Sequence, residues 1–189
     1  MTKVKMMRLL KTSPVIAAVK TWEGLQQCLQ ADNLVCFVVF GDVCSIEEIV
    51  DQIKEAGKMV IVHLDLIDGL AASDKAVDFI ASRTKADGII STRPQLIRYA
   101  NTKGLITIQR LFILDSIALQ KISKQKHQQF PDFYEILPGL MPKVIREISD
   151  TTQKPIIAGG LIIEKDDILA ALNAGAVAVS STNPQTWCH

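Results

Sequence analysis

Two segments near the carboxyl end carry the residue types of a phosphate-binding site. IIAGG at residues 156–160 ends in two glycines, and AVAVSSTN at residues 176–183 ends in hydroxyl and amide side chains. Glycines let a backbone approach an anion closely, and exposed amides with Ser and Thr hydroxyls can surround phosphate oxygens. We therefore expect a phosphate group to bind Gly159, Gly160, Ser181 and Thr182. The alternative is that these residues only form tight turns.

Polar residues also close other apolar runs. His63 and Asp65 are two positions apart, so on a continuous strand both side chains would project to the same side. One His and one Asp offer too few ligands for a metal site, and we expect neither a metal nor a catalytic set. A hydrogen-bonded structural role is favoured for His63, whereas Asp65 is predicted to accept a hydrogen bond from a ligand hydroxyl.

Three further charges end apolar runs. Arg110 and Glu135 close neighbouring runs, where a charge must be paired, solvated or bound to a ligand. An Arg–Glu ion pair and a ligand-binding role both remain open for them. Lys20, which closes the first run, is either an anion-binding residue or a solvated charge at a strand end.

The elements that position these residues alternate regularly. Eight short apolar runs begin near residues 14, 34, 59, 87, 105, 132, 155 and 176, and segments of helical periodicity lie between them. Most runs are too continuously apolar for a sheet with one solvated face, which indicates buried parallel strands. No GxGxxG follows the first run, so a dinucleotide-binding open sheet is disfavoured. The pattern predicts an α/β fold, a compact parallel (β/α)₈ TIM-type barrel with the last helix short or missing, whose functional groups stand at the carboxyl ends of the strands.

Length and composition fit one globular domain. The chain has 189 residues, 48% hydrophobic and 22% charged, and we expect residues 1–189 to form a single barrel with a helical amino-terminal segment within residues 1–13. No CxxC pair occurs among the four cysteines, and the longest apolar runs, such as LVCFVVF at residues 34–40, are too short to cross a bilayer. These features predict a cytoplasmic protein with reduced cysteines and no membrane partner.

Basic residues are concentrated in two places despite a net charge of only +1. No acidic residue precedes Glu23, and the amino end contains several cations. The segment KISKQKHQQ contributes Lys121, Lys124 and Lys126 without a nearby acid. A solvated helix end is one interpretation, and a footprint for an RNA phosphate backbone is the other. The sequence contains no recognisable RNA-binding module.

The whole chain resembles the glycerol-3-phosphate-responsive antiterminator family, bacterial regulators of glycerol uptake and utilisation operons. The segments that carry the resemblance occur in this order from end to end: PVIAAVK, VHLDLIDGL, ADGIISTRP, QRLFILDS, YEILPGLMPKV, IIAGGLI and VSSTNPQTW. Each alone is a weak signal, and IIAGG occurs in many phosphate-binding barrels. Together they are specific.

The resemblance implies a non-catalytic barrel that senses glycerol 3-phosphate and binds the leader region of messenger RNA, allowing transcription past a terminator. It needs no cofactor besides this effector. Gly159, Gly160, Ser181 and Thr182 would then hold the phosphate, with Asp65, Arg110 and Glu135 facing the glycerol hydroxyls. Whether a homo-oligomer is needed stays open. The alternative is a phosphosugar or phosphopolyol isomerase or epimerase, with acid and base supplied by His63, Asp65 and Glu135.

Overall fold

A closed barrel of eight parallel strands, numbered in chain order around the ring, forms the centre of the protein. The computed structural model describes residues 2–123 and 130–188. The strands are β1 Val15–Val19, β2 Val35–Val38, β3 Met59–His63, β4 Gly88–Ser91, β5 Ile106–Phe112, β6 Phe133–Leu137, β7 Ile156–Gly159 and β8 Ala178–Ser181. The predicted TIM-type (β/α)₈ fold is confirmed.

Helices precede the first strand and follow strands β1 to β7. They are α1 Thr2–Thr12, α2 Trp22–Gln30, α3 Ile46–Glu55, α4 Asp74–Arg83, α5 Pro94–Thr102, α6 Ser116–Ser123, α7 Pro142–Thr151 and α8 Lys165–Asn173. After β8 the described chain contains only a short 3₁₀ helix, Pro184–Thr186, followed by the buried Trp187. The Trp187 indole Nε1 donates to the carbonyl of Ser181 at 2.9 Å. The expectation of a short or missing last helix is therefore confirmed.

Strand residues divide alternately between two apolar cores, which explains why the strands are apolar throughout. The inner core lies inside the barrel and includes Ile16, Phe37, Ile61, Ile108 and Phe133. The outer core lies between the strands and the surrounding helices. A polar residue therefore faces the barrel interior when it stands two positions after an inner-core residue on the same strand.

Helix α1 closes the amino end of the barrel. Its Met6 and Leu10, four residues apart and thus on one helical face, are 0% and 1% exposed and belong to the inner core. The exposed residues of the helix include Lys5, Arg8 and Lys11. The apolar face of α1 is consequently occupied by the barrel, while these three cations face solvent. Among the described residues, none of the helices has the length and apolar character needed to span a bilayer.

One local prediction about β3 is wrong. The strand ends at His63, and the chain then turns into a 3₁₀ helix, Leu64–Leu66, so Asp65 does not continue the strand alternation. The carboxylate of Asp65 instead accepts hydrogen bonds from Ser91 Oγ at 2.8 Å and from Thr92 N at 2.7 Å. These bonds tie the end of β3 to the end of β4.

Candidate ligand-binding site

A buried ion pair joins two adjacent strands at the carboxyl end of the barrel. Arg110 on β5 is in register with Glu135 on β6, and its Nε donates to Glu135 Oε2 at 2.6 Å. Both residues stand two positions after inner-core residues, Ile108 and Phe133, so they face the interior. The Glu135 side chain is 0% exposed and that of Arg110 is 13% exposed. The ion pair left open by the sequence is therefore present.

Ser180 completes this group of interacting side chains and is not among the site residues predicted from the sequence. Its Oγ donates to the other carboxylate oxygen, Glu135 Oε1, at 2.8 Å. Ser180 stands two positions after the inner-core residue Ala178, so strand alternation could have singled it out in preference to Ser181. Glu135 thus has both carboxylate oxygens engaged from different strands.

Gly159 leaves the space that this arrangement needs. It lies on β7, between Glu135 and Ser180, and is in register with Ser180. A Cβ at Gly159 would stand 2.5 Å from Ser180 Oγ and 2.8 Å from Glu135 Oε1, both closer than real Cβ contacts. The glycine predicted to approach a phosphate therefore has a packing role beside the ion pair.

A cavity of about 320 Å³ opens above the ion pair. Its polar lining includes Arg110, Glu135, Ser180 and Thr182, and its apolar lining includes Leu66 and Leu161. The volume is near the lower end of the range for small-molecule sites. The structure thus brings Arg110 and Glu135 together with Gly160, Ser181 and Thr182 around one space, whereas Asp65 and Lys20 are not among the residues that line it.

The loop after β7 has an unusual backbone at the rim of the cavity. Gly160 has φ of +77° and Leu161 has φ of +60°, and Leu161 is a non-glycine residue in the left-handed region. Strained backbone of this kind is concentrated at ligand-binding sites. Within residues 2–123 and 130–188, the N–H groups of Leu161 and Ile162 donate to no protein acceptor. Both residues line the cavity.

The loop after β8 holds the β7 loop in place. Ser181 Oγ donates to the carbonyl of Ile162 at 2.9 Å, and the side-chain amide of Asn183 donates to the carbonyl of Ile163 at 3.0 Å. Ser181 Oγ also accepts from the N–H of Asn183 at 3.1 Å. Ser181 is thus engaged with backbone, while the exposed Thr182 lines the cavity.

Lys20 lies on the other side of Thr182. It lines an adjoining cavity of about 360 Å³ together with Thr182 and Asn183. Its side chain forms no ion pair with any acid in the described part of the chain. Lys20 is therefore an unpaired cation beside the predicted phosphate loops.

His63 lies in the barrel interior without a hydrogen-bond partner. It is 2% exposed, and neither ring nitrogen bonds to any of the described residues. Burial, and secondarily the positive charge of Arg110, lowers the pKa of His63 to about 4. The imidazole is consequently neutral near pH 7. The hydrogen-bonded structural role expected for it is not what the structure has.

The remaining candidates lie outside the cavity or outside the described residues. Lys121 belongs to α6, and its side chain is not among those described; Lys124 and Lys126 lie outside the described residues. Within the described chain, no three His, Cys, Asp or Glu side chains come together as possible metal ligands.

Comparison with known proteins assigns the family. Residues 15–187 match the model of the glycerol-3-phosphate responsive antiterminator family. The chain belongs to this family. The "Uncharacterized protein YgcP" of Escherichia coli (strain K12) is 42% identical over 182 residues, which cover 96% of this chain and 95% of that protein.

Two solved structures of similar proteins have the same barrel. One is the glycerol uptake operon antiterminator regulatory protein of Listeria monocytogenes, at 32% identity and a TM-score of 0.87, covering 93% of this chain and 95% of that chain. The other is a glycerol uptake operon antiterminator-related protein of Thermotoga maritima, at 28% identity and a TM-score of 0.81, covering 92% and 96%. The family resemblance stated from the sequence is therefore confirmed.

Proposed function

We propose that this protein senses glycerol 3-phosphate in the cavity above Arg110 and Glu135 and binds leader messenger RNA in response. The observation that carries the proposal is the position of that cavity, bounded on one side by a buried ion pair and on the other by the loops after β7 and β8. A phosphate-binding site formed by the last two loops is common in barrels of this class. Membership of the glycerol-3-phosphate responsive antiterminator family supports the choice of effector and of regulatory output.

The phosphate end of the ligand binds the two loops. The free N–H groups of Leu161 and Ile162 and the hydroxyl of Thr182 donate to phosphate oxygens, and Lys20 contributes a positive charge. Gly160 supports the left-handed turn of the β7 loop, and Ser181 holds that loop through the Ile162 carbonyl. These separate roles refine the set of phosphate-binding residues predicted from the sequence, because Gly159 and Ser181 act on the site through neighbouring residues.

The glycerol end lies against Arg110 and Glu135. The ion pair uses only Nε of the guanidinium, so the remaining Arg110 N–H groups can donate to a hydroxyl oxygen. Each Glu135 oxygen has further lone pairs that can accept from a hydroxyl. Because the two charges balance, this end of the cavity suits uncharged hydroxyl groups. Asp65 stays a weaker candidate here, since its oxygens already accept from Ser91 and Thr92.

RNA binding is supported by unpaired cations on α1. Lys5, Arg8 and Lys11 are exposed and form no ion pair within the described residues. Because the apolar face of α1 packs into the barrel, these cations are free to neutralise phosphates of a nucleic-acid backbone. The predicted patch at Lys121, Lys124 and Lys126 is a second candidate, and substitution can distinguish the two.

Catalysis is not part of the proposal. Glu135 is tied to Arg110 and Ser180, and Asp65 to the β4 end, so neither carboxylate is placed as a free acid or base. The third residue of the enzyme alternative, His63, is 2% exposed and does not line the cavity. Incubation of glycerol 3-phosphate and related phosphosugars with purified protein should therefore give no turnover. Measurable isomerase or epimerase activity would favour the enzyme alternative.

The decisive experiment measures coupling between ligand and RNA. The dissociation constant for cognate leader RNA is determined with and without glycerol 3-phosphate at several salt concentrations. If the ligand tightens RNA binding, RNA must tighten ligand binding by the same factor. Inorganic phosphate and glycerol serve as half-ligand controls, and an unrelated RNA controls for sequence. Equal RNA affinity with and without glycerol 3-phosphate would contradict the proposed switch.

A further inference from the structure

Two thiols are in contact in the outer core, away from the proposed ligand site. Cys28 lies in the last turn of α2 and Cys36 lies on β2, and their Sγ atoms are 3.1 Å apart. Both residues are 0% exposed, and neither lines the cavity above the ion pair. A disulfide bond is about 2.05 Å long, so the two sulfurs need to approach by only about 1 Å to form one.

The surroundings of the two sulfurs are polar. The side-chain amide of Asn33, which is also 0% exposed, lies beside both of them. Its Nδ2 is 3.2 Å from Cys36 Sγ and 3.8 Å from Cys28 Sγ. Buried cysteines in apolar surroundings are inert, whereas hydrogen-bond donors and cations next to a thiol favour the reactive thiolate. The amide of Asn33 is such a donor.

A buried cation adjoins the same group. Lys58, 7% exposed, donates from Nζ to the carbonyls of Ala31 and Asn33, both at 2.6 Å. Within residues 2–123 and 130–188 it forms no ion pair with a carboxylate. Buried lysines are seldom left without an opposite charge. A thiolate in the Cys28–Cys36 pair would provide that charge.

The two thiols are not equivalent. The hydrogen bond with Cys36, followed by those of Asn33 and the charge of Lys58, lowers the pKa of Cys28 despite its burial. Burial raises the pKa of Cys36 well above its usual range. Cys28 is therefore the thiol that ionises first, and Cys36 is the neutral thiol that stands next to it.

We propose that Cys28 and Cys36 are a redox-modification site, in which a peroxide oxidises Cys28 and Cys36 then forms a reversible disulfide with it. The dithiol is the resting state. Because both thiols are buried, peroxide reaches Cys28 when the end of α2 opens locally, as helix ends do more readily than core strands. The inference is independent of the proposed function, since it uses no residue of the ligand site.

Each step of the oxidation balances. The Cys28 thiolate attacks one peroxide oxygen and the O–O bond breaks, which leaves a sulfenic acid and a hydroxide that takes up the Cys28 proton. The Cys36 thiol then attacks the oxidised sulfur, the S–S bond forms, and the sulfenic hydroxyl leaves as water with the Cys36 proton. The two thiols lose two hydrogen atoms, and hydrogen peroxide is reduced to two waters.

Mass spectrometry of a variant with only this cysteine pair tests the proposal. Cys44→Ser/Cys188→Ser removes the two exposed thiols and leaves Cys28 and Cys36. The folded variant is treated with hydrogen peroxide and digested with trypsin, which leaves both cysteines in one peptide, residues 21–54. That peptide should lose the mass of two hydrogen atoms and regain it on treatment with dithiothreitol.

Single substitutions in the same variant assign the two roles. With Cys36→Ser added, peroxide should leave a sulfenic acid on Cys28 that dimedone traps, because no second thiol can displace it. With Cys28→Ser added, Cys36 should react with peroxide at least about tenfold more slowly, because it stays a neutral thiol. Equal rates for the two single thiols would overturn the assignment of Cys28 as the reactive one.

The conditions of the reaction decide between the folded protein and the unfolded chain. Circular dichroism before and after peroxide treatment checks that the protein stays folded. A disulfide formed without urea and reversed by dithiothreitol supports the proposal. A disulfide formed only in urea, added oxygen without a disulfide, or an unchanged peptide under conditions that oxidise the exposed Cys44 of the wild type would each overturn it.

Discussion

Arg110 Nε lies 2.6 Å from Glu135 Oε2, across two adjacent strands whose residues are in register at this level. The pair is nearly enclosed, and the second oxygen of Glu135 accepts from Ser180. Charges buried to this extent depend on each other, because removing one partner leaves the other without compensation in a medium of low dielectric constant. The pair therefore links the stability of the barrel to the floor of the proposed site.

Separating the two charges should be more harmful than removing both. Arg110→Met is expected to lower the free energy of unfolding by about 3–5 kcal/mol, because Glu135 stays buried without a cation. Glu135→Met should also destabilise the protein, whereas the double variant should recover much of the loss. Urea unfolding of all four proteins measures the coupling. Purely additive losses would contradict a mutually dependent pair.

Gly159→Ala should disturb the side chains around Glu135 by steric overlap alone. The new methyl would meet Ser180 Oγ at 2.5 Å and Glu135 Oε1 at 2.8 Å, so the hydrogen bond between them must shift. We expect a loss of about 1–3 kcal/mol in the free energy of unfolding, measured with urea, together with weaker glycerol 3-phosphate binding measured by calorimetry.

Gly24→Ala is the matched control for this substitution. Gly24 lies in α2, and a Cβ there would come no closer than 3.4 Å to Thr21 Oγ1. Alanine at a helical position usually has the higher propensity, so the free energy of unfolding should be unchanged or slightly raised. Equal destabilisation by Gly24→Ala and Gly159→Ala would show that the crowding beside Glu135 is not the cause.

The sequence predicted the barrel well because its strands are buried on both faces and its helices are periodic. It predicted the site less accurately, because the side on which a residue lies depends on where its strand ends. The spacing of His63 and Asp65 predicts that both side chains lie on one side of β3, but the strand stops at His63 and a 3₁₀ helix turns Asp65 towards β4. The position of Ser181 at the end of its apolar run predicts a site residue there, whereas alternation from Ala178 points Ser180 inward.

Other features of the site could not be read from the sequence. That His63 has no hydrogen-bond partner among the described residues depends on every side chain packed around it, which only the folded arrangement specifies. The left-handed conformation of Leu161 is equally hidden, because the residue type disfavours it. These features arise from long-range packing, and both lie in or near the proposed site.

The acid sensitivity of the fold should depend on His63. Its pKa is about 4 in the folded protein and 6.5 when unperturbed, so the unfolded chain binds the extra proton first as pH falls. The stability associated with the neutral imidazole is therefore present above pH 6.5 and is lost progressively towards pH 4, by about 3 kcal/mol in total.

Urea unfolding between pH 7.5 and pH 4.5, about the range in which this residue titrates, checks the effect. The His63→Gln variant cannot take up this proton, so its stability should decline less over the same interval. Each protein is compared with its own value at the highest pH, which removes any constant effect of the substitution. Parallel curves for wild type and His63→Gln would contradict a strongly lowered pKa.

RNA binding should depend on the cations of α1. Replacing Lys5, Arg8 and Lys11 together with glutamine should weaken leader RNA binding and reduce the slope of log affinity against log salt by about 2, at about 0.7 for each lost contact with a single strand. Glycerol 3-phosphate affinity without RNA should stay the same, because α1 closes the end of the barrel opposite the cavity. Salt-dependent binding titrations measure the slope, and calorimetry measures the ligand.

Two further triple variants show whether position or total charge matters. The first replaces three exposed cations on the separate helices α4, α5 and α7 with glutamine: Lys75, Arg98 and Lys143. It has the same net charge as the α1 variant, so a similar reduction in slope would indicate a general charge effect. The second replaces Lys121, Lys124 and Lys126. If this variant alone reduces the slope, RNA binds at these three lysines and the contribution of α1 is refuted. A reduction in slope confined to the α1 variant would instead place the phosphate contacts at the closed end of the barrel.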